Sequence, residues 1–168
     1  LTQDITVNVE GLNGIAAWGE RHTDKVVTLN FKDCKNMGEV YFTGKPEVNG
    51  TINITLDGCS FNAANGSNAN SSVYTNNPGT ISITDCEFDG IAVPVNLNNK
   101  SNGAQTVTVK NATFTDCATK ALAAAQKAST YAAPIRFVTQ NGATTEANVE
   151  ACTITYSEGV ESNGFGDI

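Results

Sequence analysis

Positive charge is scarce in this chain: ten Lys and Arg stand against seventeen Asp and Glu, a formal net charge of −7. Such a surface offers no basic patch to meet phosphate, which argues against nucleic acid or an anionic membrane as partner. No apolar run approaches the ~20 residues that a membrane-crossing helix needs, so membrane insertion is not expected. Aromatics make up only 7% of residues and Leu is sparse, so the core must be built from smaller side chains in regular positions. Neither a CxxC nor a Cys/His spacing supports zinc, and no DxDxDG-like run supports calcium; no cofactor is expected. The opening residues LTQDITVNVEG already read as strand, so no secretory signal is expected in this stretch.

What the chain has in abundance is a repeated motif. In Thr51 to Phe61, TINITLDGCSF, residues Ile52, Ile54 and Leu56 alternate with polar neighbours, and Gly58 precedes Cys59. The motif returns as TISITDCEF (Thr80 to Phe88) and TVTVKNATF (Thr106 to Phe114), and more loosely as VTLNFKDC (Val27 to Cys34) and ANVEACTI (Ala147 to Ile154). Aligned, Leu56, Ile83, Val109 and Val149 share a column with Phe31 beside them, and Cys34, Cys59, Cys86, Ala112 and Cys152 share another. The steps from 34 to 59 to 86 to 112 are 25, 27 and 26 residues, a period typical of stacked-repeat architectures. Period-2 alternation of Val, Ile and Thr between Gly, Asn and Asp marks the units as strands. A solenoid of equivalent parallel strands would stack like residues at about 4.8 Å per coil.

On these columns the chain resembles the right-handed parallel β-helix family, the fold shared by pectate-lyase-like enzymes, phage tailspikes and bacterial surface proteins. The resemblance implies an all-β, single-stranded right-handed parallel β-helix of about five to six coils, one domain over residues 1–168. The expected core ladder comprises Cys34, Cys59, Cys86, Cys152, Ile54, Leu56, Ile81, Ile83, Val107 and Val109. Thiols in an inward column read as reduced core residues, because Cys is among the most buried residue types and parallel Cβ vectors suit a disulfide badly. That favours assembly in a reducing compartment.

Taken in order, the first coil carries Ile5, Val7 and Val9, with Leu12 in the Cys column and Trp18 in a second short strand. Gly19 to Lys25 is a polar loop with the single His. Val40-Tyr41-Phe42 and Val73-Tyr74 read as second strands of their coils. Asn62 to Ser72 and Asn96 to Gly103 read as polar loops, and loops on a rigid scaffold are where binding concentrates. The candidate contact residues are therefore Arg21, His22, Asn65, Asn68, Asn70, Asn98, Asn99 and Lys100. Lys120 to Ala133 is Ala-rich and fits either a short helix or a small-residue second strand aligned with Ile91 to Val95; the register favours the strand. The Asn-x-Ser/Thr triplets at Asn49, Asn53, Asn65, Asn70, Asn99 and Asn111 are explained by composition alone.

Family enzymes that cleave acidic polysaccharides use clustered carboxylates, and Asp33 and Asp85 share a column two coils apart, roughly 9.6 Å. Asp, Gly and Asn at strand ends are also the residues that make corners, and Asp33, Gly58, Asp85 and Asn111 read as a corner ladder. No catalytic residue and no metal ligand is assigned. The expectation is a non-enzymatic structural solenoid on a larger assembly, as a phage virion decoration (capsid cement) or fibre component on the virion surface. Its partners would be protein subunits, as a homo-oligomer (trimer) or on a capsid lattice. The alternative is an extracellular or bacterial cell-surface adhesin or carbohydrate-binding domain with glycan partners; a polysaccharide lyase or hydrolase ranks third.

Overall fold

The computed structural model describes residues 3–20, 24–43, 50–63, 71–100, 103–140 and 142–164. The chain runs through β1 (Ile5–Glu10) and β2 (Ala17–Glu20), then β3 (Val26–Lys32) and β4 (Val40–Thr43). Two rounds of three strands follow: β5 (Thr51–Asp57), β6 (Ser60–Asn62) and β7 (Val73–Thr75), then β8 (Gly79–Thr84), β9 (Glu87–Asp89) and β10 (Val95–Asn99). The next round is β11 (Ala104–Lys110), β12 (Thr113–Thr115), helix α1 (Lys120–Ala125) and β13 (Ile135–Thr139), and the last is β14 (Thr144–Glu150) and β15 (Thr153–Thr155). Each long first strand joins one six-stranded sheet, in the order β1-β3-β5-β8-β11-β14. The others form a five-stranded sheet, β13-β10-β7-β4-β2, and a four-stranded sheet, β15-β12-β9-β6. Every strand pairing is parallel. A chain that visits the sheets in the same cyclic order on each round is an all-β architecture compatible with a β-solenoid.

Burial follows the sequence period. In β5, Ile52, Ile54 and Leu56 are buried while the residues between them are not; pairing in register stacks Ile54 and Leu56 on Ile81 and Ile83 of the next round, and Ile52 on Val27 of the one before. Val7, Leu29, Ile54, Ile81, Val107 and Ala147 form one inward column; Val9, Phe31, Leu56, Ile83, Val109 and Val149 form the next. Phe31 thus stands in the column itself. Cys34, Cys59, Cys86 and Ala112 are buried, as is Cys117, and all five cysteines are free thiols. Burial pushes the Cys117 thiol up to about 12. Contact with Cys59, and then burial, holds Cys86 above the ordinary thiol range. Beyond the Cys column, Phe61, Phe88 and Phe114 stack face to face with centroids 5.0 and 5.1 Å apart, fully inside. Each such pair contributes about 0.5–1.5 kcal/mol beyond the area it buries.

The corner ladder has a backbone cause. Gly11, Asp33, Gly58, Asp85, Asn111 and Ala151 all lie in the left-handed region, with φ between 52° and 67°. Gly, Asn and Asp enter that region at least cost, which explains the residue types at this turn.

Four expectations need correction. Lys120–Ala125 is a helix, not a strand: the Thr119 hydroxyl accepts from Leu122 N at 3.2 Å as an N-cap, and Ala123 packs with Ala92, Val93, Ala128 and Ala132 in a small second cluster. Asn96 to Asn99 belongs to strand β10 rather than to a loop, and the strand starts at Val95, after Pro94. Asn98 and Asn99 are consequently buried, and the Asn99 amide donates to Gly103 O at 3.0 Å and Thr144 O at 2.8 Å, tying one round to the next. Leu12 occupies the Cys column by register but is 52% exposed, and Cys152 is only half-buried, because each belongs to an end round with a neighbour on one side only.

Candidate functional site

The outward faces of the two larger sheets differ in chemistry. On the six-stranded sheet the outward columns hold small polar side chains that bond to one another along the stack. Asn30 Nδ2 donates to Asn8 Oδ1 at 2.8 Å and Asn53 Nδ2 to Thr28 Oγ1 at 3.4 Å, while Asn53 Oδ1 accepts from Thr80 N at 3.0 Å. These bonds link one round to the next.

On the first three strands of the five-stranded sheet, β2, β4 and β7, the residue after the inward Ala or Val is aromatic. Ala17, Val40 and Val73 share an inward column, which leaves Trp18, Tyr41 and Tyr74 stacked outside. Trp18 and Tyr41 have centroids 5.9 Å apart at 18°, and Tyr41 and Tyr74 4.7 Å apart at 13°. Trp18 is 59% exposed. The same column continues into Asn96 and Arg136. Arg136 Nη1 donates to Asn96 Oδ1 and Asn98 Oδ1, each at 3.0 Å, and the guanidinium lies 4.7 Å over the Tyr131 ring. One face thus runs from exposed aromatic rings at β2 to a cation held between amides and a ring at β13. Rings that project from a rigid sheet, already ordered by one another, offer apolar and hydrogen-bonding contact at low entropic cost.

Beside this face the α1 segment and the last described residues enclose a groove of about 480 Å³, with Gly90, Asp116, Thr119, Leu122 and Val160 on its walls. Lys120 Nζ meets Glu161 Oε2 at 2.6 Å across its rim, and that hydrogen bond holds the Glu161 carboxyl below its usual range. Asp116 accepts from both the backbone and the hydroxyl of Ser157 at 2.7 Å, which likewise lowers its pKa. These bonds close the chain onto itself.

The contact residues named from the sequence are not brought together. Arg21, His22, Asn65, Asn68 and Asn70 lie outside the described residues. Asn98 and Asn99 are buried in β10, and Lys100 follows them, half-buried, with its backbone N–H on Asn76 O at 3.2 Å. Asp33 and Asp85 are exposed at their corners, with Asn111 Nδ2 donating to Asp85 Oδ1 at 2.9 Å and Gly58 on the round between them. The aromatic column itself escaped the sequence reading. Its signal was present in the aligned pairs Val40-Tyr41 and Val73-Tyr74, with Ala17-Trp18 in the same place.

Comparison of this chain with protein-family models, curated proteins and solved structures finds no match.

Proposed function

We propose that the chain is a right-handed parallel β-helix acting as a non-enzymatic structural module, displayed on a larger assembly and docking through the face that carries Trp18, Tyr41 and Tyr74. A virion surface, as a decoration or fibre component, is the setting put first. The observation that carries the reading is the contrast between a rigid, filled interior and one outward aromatic column: stacked Phe and aliphatic residues inside, stacked Trp and Tyr outside. A stiff rod with a preordered contact strip supplies display and adhesion by geometry alone. The same strip favours a second reading, an adhesin or carbohydrate-binding domain at a bacterial surface, because exposed aromatic rings beside amide side chains also suit sugar rings.

Immunogold labelling of the native source with an antibody against this chain distinguishes the settings. Label on purified virions supports the first, and label on the cell envelope supports the second. Label confined to the soluble cell fraction contradicts both. A lyase or hydrolase would instead reveal itself by turnover of uronan-type polysaccharides that is lost in Asp33→Asn or Asp85→Asn.

A further inference from the structure

Buried amide side chains are normally satisfied at both the nitrogen and the oxygen, yet three in one inner corner of the stack are not. Asn77, Asn99 and Gln105 are 2%, 0% and 1% exposed. Asn77 Oδ1, Asn99 Oδ1 and Gln105 Oε1 meet no hydrogen-bond donor among the described residues. An acceptor buried in this way forfeits its hydration for nothing, a cost comparable to a lost hydrogen bond each time.

The three lie where the five-stranded sheet hands the chain to the six-stranded one. Asn77 falls between β7 and β8, Asn99 ends β10, and Gln105 is the second residue of β11. All four strands have a paired neighbour on both sides, so the corner is interior to the stack. Asn77 stands two residues past Thr75 and Asn99 two past Leu97, and Thr75 and Leu97 pair in register. Lys100 N donates to Asn76 O at 3.2 Å, which keeps the two rounds side by side here. Gln105 Nε2 reaches back to Asn77 O at 3.0 Å, and Asn99 Nδ2 donates to Gly103 O, two residues before Gln105. The third amide is anchored to the preceding round, with Asn77 Nδ2 on Gly50 O at 3.0 Å.

These bonds also fix which way each amide faces. Every nitrogen points at a backbone carbonyl, so turning an amide over would set oxygen against oxygen. The corner therefore presents three acceptors that call for a positive partner. A water molecule has two hydrogens for three oxygens and brings lone pairs of its own, whereas a cation satisfies acceptors alone. Calcium draws much of its coordination from carboxylates, and among the described residues no His, Cys, Asp or Glu side chains gather into a metal-binding group. Neutral carbonyl oxygens suit a monovalent ion, as where rings of them replace the hydration shell of potassium. The net charge of −7 favours uptake of a cation.

We propose that this corner binds one dehydrated alkali-metal cation, sodium or potassium, through Asn77 Oδ1, Asn99 Oδ1 and Gln105 Oε1. The ion is a staple between two rounds at the point where the chain passes from one sheet to the other. Because it binds the folded chain and not the unfolded one, it raises stability by mass action.

The test is thermal unfolding of the 168-residue chain in sodium, potassium or tetramethylammonium chloride at equal ionic strength, the last cation being too large to enter. Sodium or potassium should raise Tm in a saturable way, by about 3–6 °C once the ion exceeds its Kd roughly tenfold. Gln105→Met, which keeps the side-chain length and removes one oxygen, should lose most of that increment relative to its own Tm in tetramethylammonium. Crystals of the parent chain grown in thallium(I), a heavy stand-in for potassium, should show an anomalous peak in contact with all three oxygens, a readout that does not depend on the variant folding. Equal Tm in all three salts overturns the proposal. So does an increment that Gln105→Met retains in full, or a corner that holds only water in the thallium crystals.

Discussion

The six-stranded and five-stranded sheets are built by the same rounds of the same chain, yet they divide the work. In the first, each round contributes a strand of 6 or 7 residues, its two inward columns are Val, Ile, Leu and Phe with Ala147 at the last round, and outward Asn and Thr side chains bond between neighbouring rounds. In the second, strands vary from 3 to 5 residues, a helix-bearing insert precedes β13, and the outward column changes from Trp and Tyr to Asn and Arg. The difference teaches that a stacked fold can hold its stability in one repeated wall and vary another. The spine is uniform because every rung must match two neighbours, whereas the other face needs only the inward half of each strand to match.

The largest test of this division is a charge in the spine. Ile54→Asp or Ile83→Asp places an unpaired carboxylate at a fully buried position, one in each of the two inward columns, and either should abolish cooperative unfolding by circular dichroism. Trp18→Ala, on the exposed column, should melt within a few degrees of the parent. If Ile83→Asp melts like the parent and Trp18→Ala does not, the roles of the two sheets are reversed.

Two aromatic stacks of similar geometry sharpen the comparison. Phe88 is fully buried between Phe61 and Phe114, and Phe88→Ala should cost about 3–5 kcal/mol in urea denaturation. Tyr41, half-buried between Trp18 and Tyr74, should cost only about 1 kcal/mol on truncation to Ala. Equal losses would mean that ring stacking, and not burial, sets the stability of both walls.

A smaller effect is expected at the corner that ends each spine strand. Gly58 has φ of 62°, and a Cβ there would lie 2.6 Å from Asp33 Oδ1. Gly58→Ala should therefore destabilise by about 1–2 kcal/mol, while Asp85→Gly at the equivalent corner should be nearly neutral or better. At the variable face, Thr119→Ala removes the α1 cap and should cost about 1 kcal/mol, detected as faster proteolysis within residues 120–132 with little change in the global midpoint.

Legibility followed the same division. The spine could be read from the chain because its signal is doubly redundant: Ile54, Ile81 and Val107 obey a period of two along the strand and a near-constant period between rounds, so each confirms the others. The corner at Asp33, Gly58, Asp85 and Asn111 was readable because a backbone constraint admits few residue types. The helix at Lys120–Ala125 was not, since alanine suits small-residue packing in either conformation and the deciding contact, Ala123 against Ala92 and Val93, is made between distant segments. Asn98 and Asn99 misled for a related reason. Asn usually marks a turn, but the buried Asn99 amide N–H group donates to two backbone carbonyls, Gly103 O and Thr144 O, which lets it sit inside the strand. The aromatic column of Trp18, Tyr41 and Tyr74 was hidden by uneven spacing, because its members lie 23 and 33 residues apart whereas Ile54, Ile81 and Val107 lie 27 and 26 apart.

Native-state hydrogen exchange on the intact chain tests the central claim most directly, by comparing amides of the spine with those of the variable face. The account predicts that amides of Ile54, Ile83 and Val109 exchange only through global unfolding, with a free energy equal to that from denaturant titration, and that amides in β2 and in 120–132 exchange through smaller local openings. Uniform protection across both sheets, or earlier opening of the spine, would contradict it.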